Sequence, residues 1–136
     1  MYVKEILSGV WIGDASSLSC KPFLTDNKIE LIYNCTDIYD FADIDVIKVR
    51  LPFSSARGAA NIDLLQTHHR KLTTHLHEHI QTHNILIGCA DGLSISPLII
   101  AIYILHYGKM EPKSIYQMLQ TKDSQLSLWC DLSCFQ

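Results

Sequence analysis

Short apolar runs, bounded by turn-forming residues, alternate along this chain with longer segments in which apolar positions recur at helical spacing. Residues 3–7, 10–13, 29–35, 46–51 and 85–88 are predicted as strands, and residues 16–27, 61–83, 97–107, 112–120 and 125–132 as helices. The alternation implies an α/β fold, a central and mostly parallel sheet flanked by helices on both faces. Pro97 suits a first helical turn, where its missing N–H leaves no bond unmade. Gly108 is the expected stop of the same helix. No repeat, low-complexity tract or linker interrupts the pattern, so residues 1–136 are expected to form a single domain.

Composition narrows the class. With 136 residues and 48% hydrophobic content, the chain can bury a core without metal or disulfide staples. A formal charge of -3 and the absence of any Lys/Arg run argue against nucleic acid as a partner. The longest apolar stretch, 97–107, is too short to span a bilayer, so no membrane is expected. Residues 1–9 lack the basic region and apolar core of a secretion signal, which points to the cytoplasm or nucleus. Cysteines at 20, 35, 89, 130 and 134 make an odd set without C-x-x-C spacing and are expected to be free thiols.

The segment from Asn84 to Ser96 concentrates the chemistry. A strand delivers Cys89 at its carboxyl end, Gly92 follows, and a helix begins beyond Ser96. That layout aims backbone N–H groups and a helix N-terminus at one point and so attracts anions. The same field favours a thiolate, the form in which cysteine attacks. Cys89 stands where a nucleophile would.

These residues resemble the cysteine-dependent protein phosphatases, specifically the small dual-specificity class, whose loop reads H-C-x-x-G-x-x-R-S. In the run Gly88, Cys89, Ala90, Asp91, Gly92, Leu93, Ser94, Ile95 and Ser96, the positions Cys89, Gly92 and Ser96 match. Gly88 replaces the histidine and Ile95 the arginine. The resemblance extends over about residues 6–119 through Val10-Trp-Ile-Gly-Asp-Ala15, Ile29-Glu-Leu-Ile-Tyr-Asn-Cys-Thr36 and Val46-Ile-Lys-Val-Arg-Leu-Pro52.

The departures carry functional weight. The family's arginine forks onto two phosphoryl oxygens in the transition state, which Ile95 cannot do. The family's general-acid aspartate would fall at Ser55 or Ala56, so the acid is absent there; Asp63 is the nearest carboxylate and is expected in a first helical turn, the alternative being that it substitutes as the acid. Losing the charge stabiliser costs about 10²–10³ in rate and losing the acid about 10²–10⁴. No catalytic residue is expected to function, Cys89 being a remnant nucleophile. Asp91 would repel phosphate if turned into the loop, the alternative being an orientation to solvent.

The resulting expectation is a pseudophosphatase that binds a protein partner. A first alternative is residual cysteine chemistry at Cys89, with Arg57 swinging in to replace the missing charge. A second is a self-associating domain, a homodimer built on an exposed patch of Trp129, Leu132 and Phe135, the alternative being that these residues close the core. No cofactor is implied. His75, His79 and His83, with His68 further up the same helix, are expected to be solvated rather than metal ligands. The spacing of His77 and His79 does not match H-E-x-x-H.

Overall fold

The computed structural model describes residues 1–136 throughout. Its centre is a five-stranded sheet in the order β1-β2-β5-β3-β4, formed by β1 (Val3–Leu7), β2 (Val10–Gly13), β3 (Ile29–Asn34), β4 (Ile47–Arg50) and β5 (Asn84–Gly88). Only β1 is antiparallel to its neighbour; the other pairings are parallel. β5 lies in the middle, with Ile85, Leu86 and Ile87 fully buried. A strand covered on both faces needs such an unbroken apolar run.

Helices α1 (Ala15–Ser19), α2 (Lys21–Asp26), α3 (Ala59–His79), α4 (Ser96–Tyr103) and α5 (Pro112–Lys122) complete the layers. The larger core unites Val10, Ile12, Leu31, Tyr33, Ile85 and Ile87 of the sheet with α3, α4 and α5. The smaller core, on the opposite face, joins Leu18 and Leu24 of α1 and α2 to Ile32 and Leu86. Every residue of α4 is buried, which makes it the central helix of the larger layer. The α/β architecture expected from the sequence is therefore the one observed.

Several boundaries differ, each for a local reason. The helix predicted over 16–27 is broken at Cys20, whose ψ of 88° is not helical. Pro22 has no N–H to continue the ladder and its ring would collide with the carbonyl four residues back, so a new helix starts at Lys21. The helix predicted over 125–132 does not form. Asp123 is extended, Leu126 N–H closes a turn onto the Asp123 carbonyl, and only a 3₁₀ turn at Leu132–Phe135 follows, capped by Asp131. The helix predicted over 97–107 does end at Gly108, but not through a left-handed glycine. α4 runs into a π-helical turn over Ile104–Gly108, and Lys109 takes the left-handed conformation at φ 54°. α3 starts two residues earlier than predicted, so Asp63 sits exposed in the second turn rather than the first.

Two surface expectations also fail. Leu132 and Phe135 are fully buried, and Trp129 is half-buried against the main core, so the C-terminal segment closes the core and offers no exposed patch. The histidines of the predicted helix are only partly solvated: His77 is exposed, while His68, His75, His79 and His83 are half-buried. His75 Nδ1 lies 2.5 Å from the Tyr33 hydroxyl, and His77 stacks on Tyr107 with 4.1 Å between ring centroids. His69 is buried, its Nδ1 2.9 Å from Nε2 of His106. No group of three or more His, Cys, Asp or Glu side chains could hold a metal ion. All five cysteines are free, and no helix is long and apolar enough to cross a membrane.

Candidate active site

The site forms at the carboxyl ends of the parallel strands, where α/β sheets bind their ligands. β5 is clamped there by both neighbours: Cys89 N–H donates to the Gly13 carbonyl at 3.0 Å, and Cys35 N–H to the Gly88 carbonyl at 2.8 Å. The loop then turns tightly through Gly92, at φ 73°. A Cβ at Gly92 would stand 2.9 Å from both the Asp14 nitrogen and the Gly13 carbonyl carbon, so the loop can lie against β2 only with glycine there. Beyond Ile95 the chain enters α4, with Pro97 in its first turn as expected.

Cys89 is 1% exposed at the floor of this loop. Its sulfur accepts the Ser96 N–H at 3.4 Å, and its thiol points to Asp91 Oδ1 at 3.7 Å. The Ser96 hydroxyl beside it is buried and has no hydrogen-bond partner. Ile95, in the arginine position of the resemblance, is 2% exposed and belongs to the main core, so its side chain packs into the hydrophobic interior.

Asp91, whose orientation the sequence left open, bonds the loop while its side chain stays half-exposed. Its Oδ1 accepts the N–H groups of Leu93 and Ser94, each at 2.9 Å, and its Oδ2 accepts the Ser94 hydroxyl at 2.7 Å. Burial alone would raise the carboxyl pKa. The bonds from Leu93 and Ser94, with the nearby Arg57 charge, outweigh that and hold it below the usual aspartate value. The loop thus bonds an anion that is part of its own chain.

Arg57 reaches the same point from the loop after β4. Its Nε donates to Ser94 Oγ at 3.0 Å and its guanidinium stands 3.9 Å from Asp91 Oδ2. Asn61 of α3 holds that loop in place, accepting Ser54 N–H at 3.1 Å and donating to the Ser54 carbonyl at 2.9 Å. Ser55 and Ala56 are exposed and neither carries an ionisable group. Asp63 makes no contact with the loop among these hydrogen bonds and ion pairs.

Trp129 was legible only as core or surface, yet its indole N–H donates to the Ser94 carbonyl at 2.8 Å and ties the C-terminal segment to the loop. Gly88 has a counterpart in the smaller core. A Cβ added there would lie 2.4 Å from Cδ2 and 2.7 Å from Cγ of Leu18, which occupies the side-chain volume of that position.

Comparison with known proteins agrees with this fold. Residues 10–131 match the family model described as the dual specificity phosphatase catalytic domain. Human DUSP28 superposes with a TM-score of 0.82 at 14% identity, over 98% of this chain and 89% of that one. A mouse putative dual specificity phosphatase complexed with zinc tungstate gives 0.82 at 16% identity, over 98% and 82%. The human tyrosine phosphatase-like serine/threonine/tyrosine-interacting protein gives 0.76 at 16% identity, over 96% and 89%. No curated protein sequence matches significantly.

Proposed function

The chain belongs to the dual-specificity phosphatase family, and we propose that within it the protein is a pseudophosphatase, a catalytically silent domain that works by binding another protein. The observation that carries this reading is the Asp91 carboxylate seated on the N–H groups of Leu93 and Ser94. A phosphate dianion approaching the loop meets a negative charge on amides that are already bonded. Ile95 supplies no fork for the phosphoryl oxygens, and no carboxylate stands at Ser55 or Ala56 to protonate a leaving group. Loss of the charge stabiliser and of the acid together would lower turnover by roughly 10⁴–10⁷ if the effects were independent. One structural relative is itself described as an interacting protein, which accords with the binding role.

The test is hydrolysis of an aryl phosphate by the wild-type protein and by Cys89→Ser, beside an active dual-specificity phosphatase. Equal, background-level signals are expected. A second reading, residual phosphatase chemistry, draws on the arrival of Arg57 at the loop. Turnover that disappears in both Cys89→Ser and Arg57→Ala would establish it and overturn the first.

A further inference from the structure

The sheet ends on one side in β4, a strand with no neighbour beyond it. Leu51 N–H points inward to the Asn34 carbonyl. By the alternation of strand backbone, Lys48 and Arg50 therefore turn their N–H and C=O groups outward, unpaired by the sheet. A row of free donors and acceptors of this kind is a template for another strand.

The side chains around this edge are unusual for the molecule. Ile47 on β4 is 40% exposed, while Ile38 and Tyr39, in the loop that leaves β3, are 74% and 42% exposed. These three stand out because so few large apolar residues elsewhere in the chain reach solvent. Mobility of the loop does not account for them, since its backbone is pinned. The Tyr39 carbonyl accepts from Asn34 Nδ2 and from an Arg50 guanidinium nitrogen, each at 2.8 Å, and Tyr39 N–H donates to Thr36 Oγ1 at 3.2 Å. The Ile38 and Tyr39 side chains are thus displayed on a fixed platform at one end of β4, with Ile47 at the other. Lys48, the residue that would ordinarily blunt such an edge, is drawn to the Phe41 ring, 6.0 Å from its centroid.

Charge completes the description. Asp37, Asp40, Asp43 and Asp45 are all exposed, and no Lys or Arg lies between Lys28 and Lys48. The molecule's one ion pair joins Arg57 to Asp91, so none of these four carboxylates is in an ion pair, and the nearest cation, Arg50, is spent on the Thr36 and Tyr39 carbonyls. We infer that the β4 edge is a docking site for an extended, basic segment of a partner protein. Such a segment adds a strand along Lys48 and Arg50, sets apolar side chains against Ile38, Tyr39 and Ile47, and brings lysine or arginine to the aspartates. This gives the binding role of the previous section its surface, and rests on that role but not on the silence of the Cys89 loop.

The probe is a seven-residue peptide alternating lysine with valine, blocked at both ends and titrated into the whole chain while backbone amide resonances are followed. Binding should weaken with salt, move the amides of residues 37–50, and fall at least about fivefold in Ile38→Ser/Ile47→Ser through the loss of cross-strand contacts. The same peptide with glutamate for lysine should not bind. Neither should a lysine peptide N-methylated along one backbone edge, which keeps the charge and removes the strand pairing. Equal binding of the methylated peptide, shifts centred elsewhere, or no binding would overturn the inference. So would light scattering showing a dimer that Ile47→Ser dissolves, since the occupant would then be a second copy. Because aryl phosphate turnover is read separately, failure of the docking inference and failure of the pseudophosphatase reading remain distinguishable.

Discussion

Replacing Asp91 with alanine should convert a self-occupied loop into one that holds an external oxyanion. In the wild-type protein the carboxylate takes two loop N–H groups and the Ser94 hydroxyl. A tungstate dianion on those amides would bring its charges to about 4 Å from that carboxylate, where each unit pair repels by about 1 kcal/mol in water and about 4 kcal/mol at a protein-like dielectric. The Asp91 side chain is 48% exposed, so the weaker half of that range applies. Two charges on the ligand then give about 2–4 kcal/mol, or about 30–1000-fold in affinity. Arg57, released from Asp91, adds a free cation to the rim. Trp129 is the reporter, because its indole N–H is bonded to the Ser94 carbonyl. Its fluorescence, titrated with sodium tungstate and checked by calorimetry, should show binding in Asp91→Ala and little in the wild type. Asp91→Asn should fall between, since the amide oxygen still occupies the N–H groups without the charge. Turnover should stay at background in both variants, because Ile95 is unchanged. An Asp91→Ala protein that is folded by circular dichroism yet binds tungstate no better than wild type would refute the reasoning.

Other outcomes follow from the packing. Gly88→His should lower stability by about 1–3 kcal/mol through overpacking against Leu18. In urea unfolding, Leu18→Ala should recover part of that loss; a fully stable Gly88→His protein would contradict the overlap. Phe135→Ala should cost about 3–5 kcal/mol, as expected for a fully buried ring, and leave the protein no less monomeric by light scattering. Burial first, then the His106 charge and last the Arg70 charge, holds His69 below the ordinary histidine pKa; burial and then Arg70 do so for His106, and burial and then the His79 charge for His75. The unfolded chain therefore takes up protons before the folded one does. Stability is full above about pH 6.5 and is lost as pH falls through that value toward the lower folded pKa. Melting temperature should decline between about pH 7.5 and 5.5, less steeply in His106→Gln, and a flat profile would exclude these histidines as the cause.

The sheet was legible because burial on both faces demands apolar runs, which β3 and β5 display without ambiguity. The failures fell where sequence spacing imitates a helix without the means to form one. Leu126, Trp129 and Leu132 recur at helical intervals, but Asp123, Ser124, Ser127 and Asp131 offer the backbone local bonds that favour turns. Each apolar residue then anchors separately, Leu126 and Leu132 within the core and Trp129 against it. At the site, the residue types at Ser55, Ala56, Gly88, Cys89 and Ile95 could be read directly along the chain. The orientation of Asp91 could not, because it depends on loop curvature, and the approach of Arg57 depends on Asn61 holding a loop 37 residues away from Ser94 in sequence.

The filling of the Gly88 position by Leu18 has a consequence for mutational history. A route from this chain toward the family's H-C-x-x-G-x-x-R-S loop that starts at residue 88 costs stability first, because a side chain there meets the volume filled by Leu18 before it contributes anything to chemistry. Nor does it run smoothly through residue 18, where truncation empties part of the smaller core and offers no gain of its own. Changes at 88 and 18 compensate one another, and arginine at 95 would have to leave an apolar pocket as well. Packing of this kind couples residues 18 and 88, so that substitutions at the two positions are not additive in stability.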